Sequence, residues 1–376
     1  MLDQIKADLP ACCQEMGRDK LHWILKFREK MTAVGNSVLN AGLLTETEAF
    51  YNCDVGEVGS IEDLPGGSME GYMEETCRQL GLNPTKSLGL MTAAKMQNTA
   101  WETARFRQLE LTAIVTGGVD INGGRVGEPA GYYEENGKFF SPGTINIFLV
   151  INAHLSHTAL MKCLITATEA KAAALQELMT PSAFSNGLAT GSGTDGILAA
   201  MNPTSSLYLT DAGMHSKLGE LIGQIVKKTV KRALELETGL NPERQQNVLE
   251  RLKRFGVTPQ SCWQSLQKKG LVVNNRRSVS ETTFYDLLNN LAALPELVTL
   301  AAGLIHLQDE VEWGLLPSDE ALSLANLWIK VTLQNGIGGL GGQLSVQTAP
   351  DAPIPELLVD TLNSLVLASA YLYCST

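Results

Sequence analysis

The chain has 376 residues, of which 44% are apolar and 18% are charged. This composition supports packed cores and excludes a disordered or low-complexity protein, and at about 150 residues per domain the length indicates two or three domains. The 29 Lys and Arg residues against 40 Asp and Glu give a net charge of -11. That balance argues against nucleic acid and an anionic membrane surface as partners, because binding to phosphates depends on an excess of cationic side chains.

The chain shows no pattern typical of export, membrane insertion or a disulfide framework. Its first residues include Asp3 and Asp8, where a signal peptide would carry basic residues. The two most apolar stretches, 291–307 and 357–374, contain polar interruptions, and we interpret both as buried helices. The seven cysteines form no Cys-x-x-Cys pair, so we expect reduced, buried thiols. Together these features predict a soluble cytoplasmic protein.

The first predicted element is a helix within residues 1–30, because Leu21, Ile24, Leu25 and Phe27 form an apolar stripe among Lys, Arg and Glu. From about residue 31 to 196 the chain alternates short apolar or Thr-rich runs with Gly and Asn, which is typical of strands bounded by turns. The predicted strands are 88–94, 109–119, 143–152 and 187–200.

Two long helices are predicted, one before the last of these strands and one after it. The first runs from about Ser156, a candidate N-cap, to Leu178, and the second runs from about Ser216 to Glu237. Both keep their apolar residues at a period of about 3.6 residues. Gly239, directly after the second pattern, is a typical helix stop.

Strand signals almost vanish beyond about residue 240. The remainder consists of amphipathic helical patterns broken by glycines and prolines, among them Pro295 and Pro317. We therefore predict a mixed domain of helices and strands over residues 1–240 and an all-helical extension of unknown role over residues 241–376.

The run 141–152 places polar residues on an apolar predicted strand. Thr144 and Asn146 are two residues apart, so they point to the same face of that strand. Polar side chains in such a position cost stability unless they are paired. They either satisfy neighbouring backbone groups or belong to a site.

A second candidate cluster lies in the first long helix, in the run 165–171. Glu169 sits among alanines, so we expect partial burial, which raises the pKa of a carboxyl group and suits a general base. The alternative is a glutamate paired with a lysine on a solvated face.

Two glycine-rich runs border predicted strands, one before the end of the chain's strand-rich part and one after the strand 109–119. Residues 189–196 combine three hydroxyls, the Asp195 carboxylate and three glycines, so the backbone can approach a ligand closely; a plain turn is the alternative. This run lacks the lysine of a P-loop, and the run 116–127 lacks the spacing of a dinucleotide-binding fingerprint. We interpret the run 116–127 as a substrate loop.

The histidines give weaker indications. His154 and His157 are only three residues apart, and without further ligand spacing they are poor evidence for zinc, so no metal site is predicted. His215 precedes the second long helix, whose dipole would keep it neutral and able to accept a proton.

Several of these runs, taken in chain order, resemble a known family. The runs are Leu90–Ala94, Thr112–Val119, Gly143–Ile147, Ile165–Lys171, Ala189–Asp195 and His215–Gly223. Together they are similar to the adenosylcobinamide amidohydrolase family of corrinoid salvage, over about residues 30–235.

This resemblance implies hydrolysis of the amide that joins the propionyl arm of the corrin ring to aminopropanol, which converts adenosylcobinamide into adenosylcobyric acid. The cobalt would arrive with the corrinoid substrate, so no cofactor of the protein's own is implied. The rival interpretations are a noncatalytic corrinoid- or nucleotide-binding protein, and an aminopeptidase or acyltransferase. The oligomeric state is left open, a homo-oligomer included.

A second resemblance concerns the fold. In the L-aminopeptidase/D-esterase and ornithine acetyltransferase group, a self-cleaved bond before Ser or Thr opens a hydrophobic strand, and a Gly-Ser-Gly strand follows after a helix. Here Gly143 and Thr144 open such a strand, Asn152 ends it, and Gly191–Gly193 begins the next. The similarity implies an α+β layered sandwich with two β-sheets between helices, and it leaves open whether the 143–144 bond is self-cleaved.

From these motifs we assign candidate roles. Thr144 is the candidate nucleophile and Glu169 the base or orienting carboxylate; alternatively, Glu169 or His215 activates a water. Asn146 and the backbone of residues 191–194 would supply oxyanion donors, while Asp195 and Lys171 would orient the site. The substrate-binding candidates are Thr116, Gly117, Gly118, Gly143, Thr166, Thr168, Thr190, Gly191, Ser192, Gly193, Thr194 and Lys217.

Overall fold

A computed structural model describes residues 2–56, 64–130, 144–269, 279–337 and 352–373. The chain divides into two compact units, Met1–Asn241 and Pro242–Thr376. The first unit combines helices and strands, and the described part of the second contains helices only. The α+β class and the helical C-terminal region are thus confirmed.

Nine strands of the first unit form one connected sheet. They are β1 (Asp3–Gln4), β2 (Cys13–Arg18), β3 (His22–Gly35), β4 (Gly42–Asp54), β5 (Ser87–Thr92), β6 (Ala100–Phe106), β7 (Leu109–Gly117), β9 (Ile145–Ile151) and β12 (Gly196–Met201). Two small ladders lie outside it, pairing β8 (Gly123–Gly124) with β11 (Gly191–Ser192) and β10 (His154–Leu155) with β13 (Tyr208–Leu209).

The sheet curls because β3 belongs to both of its halves. β3 pairs with β2, β4 and β12, and its register with β4 shifts between Lys26 and Met31 and again before Ala33. Such irregularities bend a strand and increase its twist. One half is β2-β3-β4-β5, and the other is β12-β9-β7-β6. Because β3 hydrogen-bonds to β12, the two halves form one continuous sheet, and the prediction of two separate sheets is wrong.

The two halves face each other across an apolar core. Trp23 and Phe50, from the first half, place their ring centroids 4.9 Å and 5.8 Å from that of Phe148, in the second. All three side chains are buried, together with Leu88 and Ile114. Burial of this apolar surface, at about 25 cal/mol per Å², holds the curled sheet closed.

Helices cover the outer faces of both halves. Helices α2 (His157–Glu177) and α3 (Lys217–Thr238) share a core with β7, β9 and β12. On the other side, α1 (Met69–Gln79) buries Met73 and Cys77 against Tyr51 of β4. The layer order is helix, half-sheet, half-sheet, helix, while similarity to the L-aminopeptidase/D-esterase fold in particular stays a prediction.

Both long helices begin at serine N-caps, and the second ends at its predicted glycine stop. Ser156 Oγ accepts a hydrogen bond from Ala159 N at 3.1 Å, and Ser216 Oγ accepts one from Gly219 N at 3.0 Å. Gly239 caps α3 with a left-handed φ of 69°, a conformation that glycine adopts without strain. These two helices are confirmed.

The helix predicted within residues 1–30 is wrong, because that segment forms β1, β2 and the first part of β3. Leu25 faces the core between the half-sheets, while Ile24 faces α1. A strand buried on both faces does not alternate between apolar and polar residues, so the spacing of its apolar residues resembled the apolar face of a helix. Leu21, which completed that stripe, is 46% exposed.

The second unit packs its helices around one apolar core. They are α4 (Val248–Leu252), α5 (Pro259–Lys269), α6 (Glu281–Ala292), α7 (Pro295–Glu312), α8 (Ser318–Gln334) and α9 (Ile354–Tyr373). A buried ion pair, Arg254 Nη2 to Asp309 Oδ2 at 2.7 Å, joins the segment after α4 to α7.

Within the described ranges, no single helix has the length and apolar content needed to cross a membrane. The pair α6 and α7 reaches both criteria only together, across a bend of 77°.

Candidate active site

A buried polar cluster lies at one end of the curled sheet, where the ends of strands from both halves meet. The register of β9 places Asn146 beside Thr116 of β7 on one side and beside Gly196 of β12 on the other. Asn52, near the end of β4, reaches this group from the facing half. Polar side chains from three strands therefore converge at a point that is otherwise apolar core.

The amides of this cluster form a continuous chain of hydrogen bonds. Asn146 Nδ2 donates to Met91 O at 2.8 Å and to Asn52 Oδ1 at 2.9 Å. Asn52 Nδ2 donates in turn to Thr116 Oγ1 at 2.8 Å. Asn52, Thr116 and Asn146 are at most 2% exposed, so these bonds offset the desolvation cost of the buried amides.

The Asp195 carboxylate joins three segments of the chain. Its Oδ1 accepts hydrogen bonds from Ile145 N at 2.9 Å and Ser192 Oγ at 2.6 Å, and its Oδ2 accepts one from Ser192 N at 3.0 Å. Oδ2 also forms an ion pair with Lys171 Nζ of α2. Asp195 and Lys171, which were each predicted to orient the site, are thus partners of one another, with side chains 11% and 8% exposed.

Thr144 lies between the amide chain and this ion pair. Its Oγ1 donates to Thr194 O at 2.5 Å and lies 3.5 Å from Asn146 Oδ1. Its carbonyl oxygen accepts a hydrogen bond from Gly118 N at 3.2 Å. The residue is 2% exposed, so the hydroxyl is buried and its orientation is set by these neighbouring groups.

Two glycines make room for the cluster. A Cβ on Gly196 would lie 2.7 Å from Asn146 Oδ1, and one on Gly191 would collide with the Asp195 carboxylate and the Lys171 ammonium. The Gly-rich run 189–196 therefore serves close packing of charged and amide groups, which a larger residue would prevent.

The prediction that Glu169 is partly buried is wrong, because it lies on the exposed face of α2. Successive helical residues turn by about 100°, so Glu169 and Lys171 project about 200° apart. Lys171 faces the sheet and is buried. Ala167 and Ala170, which flank Glu169 in the sequence, are buried, so proximity in sequence gave a false indication that Glu169 is buried too.

The neighbouring threonines of α2 also stand apart from the cluster. Thr166 Oγ1 donates to Ala212 O at 2.8 Å, and Thr168 Oγ1 donates to Leu164 O of its own helix at 2.8 Å. Neither hydroxyl is directed at Thr144 or Asp195. The structure does not bring these two substrate-binding candidates to the site.

His215 and Lys217 lie at the opposite end of the sheet. Lys217 Nζ is 4.9 Å from the ring centroid of Phe106, at the turn between β6 and β7, and it pairs with Glu220 at 2.5 Å. Strands rise about 3.3 Å per residue, so this turn is on the order of 20 Å from Thr116 along β7. His215, exposed two residues earlier, cannot activate a group at the Thr144 cluster.

Asn146 cannot be the predicted oxyanion donor, because Met91 O and Asn52 Oδ1 occupy both hydrogens of its Nδ2 group.

Gly117 and Gly118 lie beside Thr144 at the end of β7, since Gly118 N donates a hydrogen bond to the Thr144 carbonyl oxygen. Thr190 Oγ1 accepts a hydrogen bond from Val126 N at 2.9 Å and so holds the neighbouring loop. Gly143 lies outside the described residues.

The sequence interpretation missed Asn52. The signal was available, because Asn52 is a lone amide within the apolar strand segment 50–53, and the reasoning applied to Asn146 covers it equally. Its role depends on the facing half-sheet, which the strand pattern alone did not place.

His154, one of the two histidines considered for zinc, stacks edge-on against Tyr208 with ring centroids 4.9 Å apart. In the part of the chain that the structure describes, no three His, Cys, Asp or Glu side chains are grouped closely enough to hold a metal ion.

A buried hydroxyl, a fixed amide chain and a carboxylate–ammonium pair thus lie together at one end of the curled sheet. The chain belongs to the adenosylcobinamide amidohydrolase family, whose model matches residues 12–242. That range contains the whole cluster.

Two relatives and one solved structure show similarity. The chain is 34% identical over 177 residues to an adenosylcobinamide amidohydrolase of Methanosarcina mazei, covering 45% of this chain and 76% of that one. It is 35% identical over 176 residues to an uncharacterized protein of Methanocaldococcus jannaschii, covering 43% and 68%. A Pyrococcus horikoshii crystal structure matches 62% of this chain and 82% of that one, with 11% identity and a TM-score of 0.31.

Proposed function

We propose that the protein hydrolyses the aminopropanol amide of adenosylcobinamide to give adenosylcobyric acid and 1-aminopropan-2-ol. The observation that carries the proposal is that the family match spans every residue of the buried cluster. The name of the Methanosarcina mazei relative supports the same reaction. Cobalt belongs to the substrate, and the proposed hydrolysis uses only the chain's own residues and water, with no cofactor of the protein's own.

The nucleophile in this proposal is the Thr144 hydroxyl. Its Oγ forms an ester with the propionyl carbonyl carbon, the C–N bond breaks, and the amine leaves with a proton. Water then adds to the ester carbon, the C–Oγ bond breaks, and the hydroxyl recovers its proton. The net change is one water consumed and one amide replaced by a carboxylate and an ammonium group.

The base in this proposal is the α-amino group of Thr144, which becomes free when one water hydrolyses the peptide bond between residues 143 and 144 and leaves a carboxylate on residue 143. Glu169 is exposed and His215 lies at the far end of the sheet, so neither reaches the hydroxyl. Asp195 and Lys171 are engaged with each other. An N-terminal threonine that uses its own amine is an established form of activated nucleophile.

The backbone of Gly193 supplies the proposed oxyanion donor. Within the run 191–194, Ser192 N already donates to Asp195 and Thr194 N to Ser192 Oγ at 3.4 Å. Gly193 is exposed, and a Cβ there would meet nothing within 4 Å, so a substrate carbonyl has space to approach. One such donor contributes about 10²–10³-fold to turnover.

The test is incubation with adenosylcobinamide, followed by mass spectrometry of the corrinoid and amine products. We expect both products from the natural chain, loss of about 10³-fold or more of turnover in Thr144→Ala, and retained turnover in Thr144→Ser, which keeps the hydroxyl. Thr168→Ala is the matched control, because its hydroxyl bonds only within α2 and its removal should leave turnover unchanged.

Two results would overturn parts of this proposal separately. Tight corrinoid binding without products from the natural chain would make the protein a carrier. A single active species at 40.5 kDa by intact-mass measurement would remove the free-amine base, since cleavage before Thr144 must yield two fragments.

A further inference from the structure

The buried amide of Asn52 touches neither the Asp195–Lys171 pair nor Thr144, and the reaction steps above do not use it. It is nevertheless fully buried, at 0% exposure, and it crosses from the first half-sheet to the second. A buried amide pair between half-sheets is costly unless every donor and acceptor is satisfied. Two apolar side chains would fill this part of the core without any buried donor or acceptor to satisfy.

The orientation of the amide chain is fixed from one end. A backbone carbonyl only accepts hydrogen bonds, so the atom of Asn146 beside Met91 O must be the amide nitrogen. The other hydrogen of that nitrogen then requires Asn52 to present its oxygen. Asn52 consequently turns its nitrogen to Thr116 Oγ1, and no other arrangement satisfies the three groups.

This arrangement leaves the Asn146 oxygen facing the Thr144 hydroxyl. Asn146 Oδ1 lies 3.5 Å from Thr144 Oγ1, over the space that Gly196 leaves open. Thr194 O, 2.5 Å from the same hydroxyl, is also an acceptor. Thr194 O accepts the hydrogen bond of this hydroxyl, and Asn146 Oδ1, at the outer limit of hydrogen-bond distance, is a second acceptor nearby, so the two together limit the rotation of the hydroxyl.

We infer that Asn52 is a positioning residue, which acts through Asn146 to fix the direction of the Thr144 hydroxyl; the inference rests on the proposed function. Without Asn52, the Nδ2 group of Asn146 keeps only its bond to Met91 O, and the side chain can rotate about its torsions. Thr144 can then still contact the substrate, but its hydroxyl is less well aligned with the carbonyl carbon that it attacks. Misalignment lowers the rate of the chemical step more than it weakens binding.

The first test is Asn52→Leu, which keeps the volume and removes both hydrogen bonds. We expect kcat for adenosylcobinamide to fall about 10²-fold while KM stays within about threefold. Thr112→Val is the matched control: Thr112 is buried on the same face of β7, and its hydroxyl bonds to Thr103 Oγ1 at 2.7 Å. That variant loses a comparable bond away from the site and should keep the natural kcat.

The second test is Asn52→Asp, which distinguishes a role in orienting the Thr144 hydroxyl from a role in stabilising the fold. A protonated carboxyl group can donate to Thr116 Oγ1 and accept from Asn146 Nδ2, as the amide does, whereas the ionised form cannot donate. Burial raises the pKa of such a carboxyl group. We therefore expect kcat of Asn52→Asp, relative to the natural chain, to rise as the pH is lowered.

If Asn52→Leu does not fold, the pH profile of Asn52→Asp decides alone. A relative kcat that does not change with pH, or an unchanged kcat in folded Asn52→Leu, would overturn the inference while the natural chain stays active. Absence of products from the natural chain would overturn the proposed function itself, and the inference with it.

Discussion

At the scale of single residues, Asp195 ties the start of β9, the run 191–194 and α2 together. Lys171 is the only cation among the partners described for its carboxylate, and both side chains are nearly buried. Removing one member of a buried ion pair leaves the other charge without compensation, which is far more costly than the loss of an exposed pair.

We predict that Asp195→Asn lowers the free energy of unfolding by about 3–5 kcal/mol. The physical reason is the unpaired Lys171 ammonium, so Asp195→Asn combined with Lys171→Met should recover part of the loss. Urea denaturation measures both. Lys162→Met is the control, because its pair with Asp211 is exposed, at 46% and 50%, and should change stability by less than about 1 kcal/mol.

A decrease of similar size in Asp195→Asn and Lys162→Met would contradict the importance of burial for this pair. Failure of the double variant to regain stability would show that the hydrogen bonds of Asp195 to Ile145 and Ser192, rather than its charge, hold the segments.

Sequence reasoning found most of the polar site residues on strands and in glycine-rich turns, although it missed Asn52. On helix α2 it found Lys171 but was wrong about Glu169. Thr144, Asn146 and Asp195 stood out because a polar group in an apolar or glycine-rich run is unusual. Glu169 was wrong because the rotational position of a residue on a helix decides its burial. The roles of His215 and Lys217 depended on which end of the sheet receives α3, and local pattern does not determine that.

At the scale of elements, the start of β7 holds the N-terminal segment onto the sheet. The Glu110 carboxylate accepts hydrogen bonds from Ala11 N at 3.0 Å, Arg105 Nε at 3.1 Å and Asn152 Nδ2 at 3.1 Å. The bond from Ala11 N contributes most to lowering the pKa of Glu110 below its usual value. The ionised form is therefore favoured by folding.

We predict that this contribution is lost in acid. A carboxyl group with a lowered pKa in the folded chain stabilises it above the unfolded pKa, about 4.3 for Glu, and loses that effect as the pH falls through the lower, folded value. Glu110→Gln should thus be less stable than the natural chain at pH 7, and the difference should shrink below about pH 4. Urea midpoints at several pH values measure it; a constant difference would contradict the prediction.

The elements themselves were predictable where one face is apolar and caps are present. Helices α2 and α3 met both conditions, with Ser156, Ser216 and Gly239 at their ends. Strand β3 met neither, because its two faces pack against different cores, and alternation disappears when both faces are buried. Whether a run of this kind is a helix or a strand depends on its partners.

At the scale of the whole molecule, the described site residues all lie in the first unit. The family match ends at residue 242, and the first unit ends at Asn241. Leu240 is 3% exposed and belongs to the core shared by α2 and α3, so the unit needs its last residues.

We predict that a chain ending at Asn241 folds and keeps most of the amide hydrolysis, because it retains its core and every group of the cluster. A chain ending at Thr238 is the comparison; it lacks the Gly239 cap and Leu240 and should melt at a lower temperature. Circular dichroism and product analysis measure both. A folded but inactive chain ending at Asn241 would assign part of the site to residues 242–376.

The position of β12 in the sheet has a consequence for how the protein is made. In chain order β12 is the last of the nine strands, yet it lies between β3 and β9 and pairs Leu198 with Gly35. Until the ribosome has released this segment, the nascent chain carries two unpaired strand edges, which are sites of aggregation. Closing so distant a pairing is slow, so we expect the growing chain to depend on chaperones until its central strand arrives.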